Sequence, residues 1–136
     1  MSAERQRDDE VRAWLNRAAA DLRAAAHDRT AIPPLSADSL FHAQQAIEKC
    51  LKAFLTEHDR RFRKTHDLIE LGRACTNIDE TLEDLLRKAA PLTEYAWRYR
   101  YPGDVDEPTE DEVDEALTLA RDVWQAVTAR LRLPPE

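Results

Sequence analysis

Ser39-Leu-Phe-His-Ala-Gln-Gln-Ala-Ile-Glu-Lys-Cys-Leu-Lys-Ala-Phe-Leu-Thr56 is the stretch on which the fold turns. At helical spacing Leu40, Ala43, Ile47, Cys50, Leu51 and Phe54 fall on one side, and Phe41 and Leu55 widen the stripe to the breadth of a core-facing helix. On the opposite side His42, Gln45, Lys49, Lys52 and Thr56 recur every three or four residues, which predicts a polar ridge about four turns long. Such a ridge is either a binding surface or a solvated face, in which the i,i+4 pair Glu48 and Lys52 contributes about 0.3–0.5 kcal/mol.

The rest of the chain extends this helix into a bundle. Its 136 residues suit one domain with a core that needs no metal or disulfide staple, and only two glycines leave little material for tight β-hairpins. No alternating strand pattern is present, so the expected fold is all-α: a single up-and-down bundle of about five helices over residues 1–136, with its core at about 8–131 and residues 1–7 and 133–136 frayed.

The first helix is expected from Asp8 to Asp28, with Val11, Leu15, Ala18, Ala19, Leu22, Ala25 and Ala26 inward; so many alanines imply close approach of a neighbouring helix. Trp14 belongs either to the core edge or to an interface. Pro33-Pro34 forbids helix in the first connector. Ser36 is the expected N-cap of the central helix, which ends near Glu57, with Asp38 favourable to its first turn.

The second connector carries Arg60, Arg61, Arg63 and Lys64 around Phe62, a concentration of cations that must be exposed or face an anion. Thr65 reads as the cap of a short helix from His66 to Cys75. Asp79 caps a longer helix in which Leu82, Leu85, Leu86, Ala89, Leu92, Ala96 and Tyr99 keep helical spacing and which Pro91 kinks or breaks. That helix runs into Tyr95-Ala-Trp-Arg-Tyr-Arg-Tyr-Pro102-Gly103, where Arg98 and Arg100 alternate with aromatic rings. Either the arginines complement a helix end, or guanidinium and ring together bind phosphate and base. Thr109 and Glu112 have capping-box spacing at the start of the last helix, Glu110 to about Arg132, and Pro134-Pro135 ends the fold.

The formal net charge is −7, unevenly distributed. From His42 to Lys64 there are six Lys/Arg against three Asp/Glu, whereas Asp104 to Glu115 holds eight acidic residues and no basic one. A basic region beside an acidic one steers polyanions or oppositely charged protein surfaces. Cys50 and Cys75 occupy apolar helical positions and read as reduced core thiols, hence a cytoplasmic protein. No apolar run reaches the ~20 residues of a membrane span, and no signal peptide is evident. The histidines at 27, 42, 58 and 66 lack partners at zinc-site spacing, so neither a metal nor a cofactor is expected. Two glycines also exclude the glycine-dependent phosphate loop and nucleophile elbow.

Several separated pieces coincide with one family. Phe41-His42-Ala43-Gln44-Gln45-Ala46-Ile47-Glu48-Lys49-Cys50-Leu51-Lys52-Ala53, then Thr65-His66-Asp67-Leu68 and Leu71, then Tyr99-Arg100-Tyr101-Pro102, with Ala20-Asp21-Leu22 near the start, resemble the HEPN domain (higher eukaryotes and prokaryotes nucleotide-binding). The resemblance covers about residues 8 to 131. It implies a helical bundle, commonly a homodimer, of the kind encoded in prokaryotes beside a minimal nucleotidyltransferase with which it forms a toxin–antitoxin pair.

Many such proteins are metal-independent RNases that pair, across the dimer, an Arg with a His about four to six residues later. Here no histidine follows Arg98 or Arg100. With that motif broken, the resemblance implies first a non-catalytic or weakly catalytic module that binds nucleotide, RNA or a nucleotidyltransferase partner through His42, Gln45, Lys49, Lys52, His66, Arg98 and Arg100. An RNase would have to use Arg98 or Arg100 as the cation and His42 or His66 as the base. A third reading is a structural interaction bundle anchored by Trp97 and Tyr101.

Overall fold

The computed structural model describes residues 2–103 and 106–133; Asp104 of the acidic stretch and the terminating Pro134-Pro135 lie outside them. The described residues form five α-helices and no strand: α1 (Ala3–Thr30), α2 (Ser36–Glu57), α3 (Leu68–Ile78), α4 (Glu83–Ala89) and α5 (Glu110–Arg130). Short 3₁₀ segments at Glu80–Leu82 and Ala90–Ala96 flank α4.

Long-range ties fix the helix directions. Arg7 near the start of α1 pairs with Asp59 just beyond α2 at 2.7 Å, so these two helices are antiparallel. Arg29 at the end of α1 reaches Asp114 in the first turns of α5 at 2.8 Å, while Arg132 just past α5 reaches back to Asp8 at 3.3 Å. Helix α5 therefore also runs against α1 and alongside α2, and its exit is tied to α2 by the Arg132 N–H donated to Glu57 Oε1 at 2.8 Å. These exposed pairs set direction more than stability, at about 0–1 kcal/mol each.

The core is the apolar stripe of α2 enclosed by its neighbours. Leu40, Ile47, Leu51, Phe54 and Leu55 are fully buried with Val11 and Leu15 of α1, Leu68 and Leu71 of α3, and Val113 of α5. Ala18 and Ala25 of α1 and Ala43, Ala46 and Ala53 of α2 are likewise at 0% exposure, small side chains that suit the close packing of α1 along α2. Ala19, expected inward, is exposed, since Ala18 already occupies the contact stripe.

Several boundaries differ from expectation, each for a local reason. Residues 3–7 are helical rather than frayed, because Ser2 caps α1 by accepting the Arg5 N–H. Ser36 is the first residue of α2 rather than its cap, and Leu35 precedes it with no side-chain capping bond. Asp67, not Thr65, caps α3, accepting from Ile69 and Glu70, while the Thr65 hydroxyl takes the Asp67 N–H. Pro91 does break the long helix, opening a 3₁₀ segment that stops at Ala96, so Trp97 to Arg100 form a turn rather than a helix end. The Thr109–Glu112 capping box is present in full.

Candidate functional site

Helix α2 contributes far more buried polarity than its sequence announces. Gln45 (8%), Lys52 (7%) and Thr56 (8%) are buried and Lys49 is half-buried, so the ridge is covered rather than solvated, with α1 packed closely along α2. Each charged atom placed there needs a partner, since a lone buried ion costs several kcal/mol. The partners divide the ridge into three groups.

At the start of α2, His42 Nδ1 lies 2.8 Å from Asp21 Oδ1, and Lys49 Nζ contacts the other Asp21 oxygen. His42 Nε2 faces Asp38 Oδ2 at 3.5 Å. Arg100 stands next, 3.9 Å from Asp38 Oδ1, with its guanidinium 4.2 Å over the Phe41 ring. Asp28 closes the group from the end of α1; burial, then the neighbouring Asp38, pushes its carboxyl up to about 6.

One to two turns further along, Glu48 gathers the second group. Its Oε1 lies 2.7 Å from His66 Nδ1 and its Oε2 accepts from Lys52 Nζ at 3.0 Å. Gln44 donates to Glu48 Oε1 at 3.3 Å and to the His66 carbonyl at 3.2 Å, and Gln45 donates to Gln44 Oε1 at 2.6 Å. His66 is thus fastened to α2 through both ring and backbone, while its side chain stays 64% exposed.

The third group is a cleft of about 780 Å³ where α1 begins and α2 ends. Its wall includes Trp14 and Phe62, edge to face with centroids 6.1 Å apart, and Lys52 Nζ lies 5.3 Å and 5.8 Å from the two rings. Trp14 is therefore a half-buried cleft residue. Around it stand Arg7, Arg60, Arg61 and Lys64, so the cleft carries five cationic side chains against the carboxylates of Glu10 and Asp59. Arg7 is paired with Asp59 and Lys52 with Glu48, whereas Arg60, Arg61 and Lys64 have no carboxylate partner among the described residues. Arg63, between them in sequence, turns away to Glu70 at 2.8 Å.

The predicted residues are therefore gathered in part. His42 and Lys49 meet on Asp21; His66, Gln45 and Lys52 are joined through Gln44 and Glu48; Arg100 approaches His42 only through Asp38. Arg98 pairs locally with Glu94 at 3.1 Å and joins neither group. Phe41 under Arg100 and Glu48 under His66 are seven positions apart on one helix, roughly 10 Å, so Arg100 and His66 stand over different turns of α2.

The roles of Asp21 and Asp28, and the meeting of Glu48 with His66, are not readable from spacing because each partner lies on another element. A signal was present: Asp21 and Asp28 share the stripe of Ala18 and Ala25, where a carboxylate must be matched by a donor from elsewhere.

Compared with models of known protein families, residues 11–131 match the HEPN domain. No curated protein and no solved structure matches the chain. No helix among the described residues is long and apolar enough to cross a membrane.

Proposed function

The chain belongs to the HEPN domain family, and from that premise we propose that it is a non-catalytic nucleotide- or RNA-binding module of a prokaryotic toxin–antitoxin-type system, acting as a homodimer with a minimal nucleotidyltransferase as partner. The observation that supports binding is the cleft at the end of α2, where Arg60, Arg61 and Lys64 lack carboxylate partners beside Trp14, Phe62 and Lys52. Unneutralised cations at a concave surface attract phosphates, and the adjacent rings offer faces for a base.

This moves the centre of binding from the predicted ridge to its far end. Gln45 and Lys52 are spent on internal bonds, so they shape the floor of the surface rather than reach solvent. Lys49, held by Asp21, is spent likewise. The experiment is an electrophoretic mobility shift of labelled single-stranded RNA. Wild type retards it at low salt, whereas the triple variant Arg60→Ala, Arg61→Ala, Lys64→Ala loses at least tenfold in affinity; equal retardation would refute the cleft.

The RNase reading has one observation in its favour, the succession Arg100, Asp38, His42, which holds a cation and an imidazole on opposite oxygens of one carboxylate. It requires cleavage of RNA in EDTA that both Arg100→Ala and His42→Ala abolish. Uncleaved RNA with wild type removes it.

A further inference from the structure

At the opposite end of α2 from the cleft, Asp28, Asp38 and His42 bring one ligand atom each within 4.8 Å of one another. We propose that these three side chains form a binding site for a divalent transition-metal cation of the zinc class. Asp28 comes from the last turn of α1, Asp38 and His42 from the first two turns of α2. The intervening connector is held by the Asp28 carbonyl, which accepts the N–H groups of Ala31 at 3.3 Å and Leu35 at 3.0 Å, so the three ligands share a braced corner.

Three features distinguish this corner from a chance acidic cluster. Asp28 is only 7% exposed, yet its Oδ2 is buried with no hydrogen-bond partner among the described residues; buried carboxylate oxygens are ordinarily matched, and a cation would match this one. Secondly, His42 is oriented as metal-bound histidines are. Its Nδ1–H can donate to Asp21 at 2.8 Å, which leaves the Nε2 lone pair turned to Asp38, and Asp21 is itself fixed by Lys49. Thirdly, His42 Nε2 and Asp38 Oδ2 are 3.5 Å apart, close to the ~3.4 Å that separates two tetrahedral ligands each about 2.1 Å from zinc.

The donor set selects the ion. One imidazole nitrogen with two carboxylates favours zinc-like ions over magnesium or calcium, which prefer all-oxygen shells. The two carboxylates balance a divalent charge, and three protein ligands leave a position for water. Arg100 approaches the other oxygen of Asp38, Oδ1, at 3.9 Å and leaves Oδ2 to the ion.

The test is calorimetric titration of the EDTA-treated, desalted protein with zinc chloride and, separately, magnesium chloride at neutral pH. Saturable binding of one zinc per chain is expected, with no magnesium heat, and at least tenfold weaker zinc binding in Asp38→Asn and His42→Gln variants that keep wild-type helical circular dichroism. If those variants unfold, nitrogen-15 imidazole spectra of wild type decide instead. Zinc must shift the His42 Nε2 resonance and leave His27, His58 and His66 in place. Absence of saturable zinc binding, undiminished binding by the folded variants, or a shift at another histidine would each overturn the proposal.

Discussion

His66 Nδ1 lies 2.7 Å from Glu48 Oε1, tying the connector that leaves α2 to the middle of α2 itself. The carboxylate it meets is nearly inaccessible and also holds the buried Lys52 ammonium. Glu48→Ala strips that ammonium of its partner, and removal of one member of a buried pair costs about 3–5 kcal/mol. His66→Ala removes a half-solvated contact instead and should cost under about 1 kcal/mol. Urea unfolding of the two variants checks the contrast; equal losses would mean that Lys52 does not depend on Glu48.

Arg60, Arg61 and Lys64 should be silent in stability while important for RNA. They are exposed and lack carboxylate partners among the described residues, so each change to alanine should shift unfolding by no more than about 0.5 kcal/mol. Thermal melts of the single variants, set beside their RNA affinities, separate a binding role from a folding role.

Packing between α1 and α2 should be intolerant of volume. Ala18 and Ala46 are completely buried, and a leucine at either place forces side chains off their rotamers or the helices apart, at about 1–3 kcal/mol. Denaturant midpoints of Ala18→Leu and Ala46→Leu check this. The exposed Ala19→Leu is the control and should be near neutral.

Cys50 and Cys75 should resist thiol reagents until the protein unfolds. Burial pushes both thiols up, Cys75 to about 12 from an ordinary 9.0. In the unfolded chain these thiols ionise near 9, so ionisation favours unfolding above that pH. Their contribution to stability is complete below pH 9 and is lost as pH rises toward 12. Ellman's reagent at pH 8 should therefore label neither cysteine in native protein and both in urea, and cysteine-to-alanine variants should show a flatter loss of stability above pH 9.

The apolar half of α2 was legible because its stripe recurs at helical period and nothing outside the helix is needed to read it. Leu40, Ile47, Leu51 and Phe54 are all in the core, as their spacing requires. The polar half was not, because the fate of a lysine depends on whether another helix brings a carboxylate. Lys49 is met by Asp21, 28 residues earlier in the chain, and no periodicity encodes that meeting. Even the Glu48–Lys52 pair, correctly placed at i,i+4, has the wrong energetics when read as solvated, since both ends are buried.

In the candidate site, the sequence points to His42 and Lys49 but not to the Asp21 on which they meet, and to His66 but not to its tie to Glu48. Asp38 and His42 do stand at i,i+4, a spacing visible in the sequence, but the third member, Asp28, reaches them only because the Pro33-Pro34 connector folds the end of α1 back on the start of α2. The basic connector could be read as exposed; its cleft could not, because Trp14 is brought beside Phe62 from 48 positions earlier.

The most direct test of non-catalytic RNA binding at the cleft is the affinity for labelled single-stranded RNA across a salt series in EDTA, with the integrity of the RNA examined at every point. Intact RNA is expected to bind with an affinity that falls linearly in log–log form, with a slope of about −2, as three neutralised phosphates at about −0.7 each require. Cleaved RNA, or binding absent at low salt, would contradict that reading.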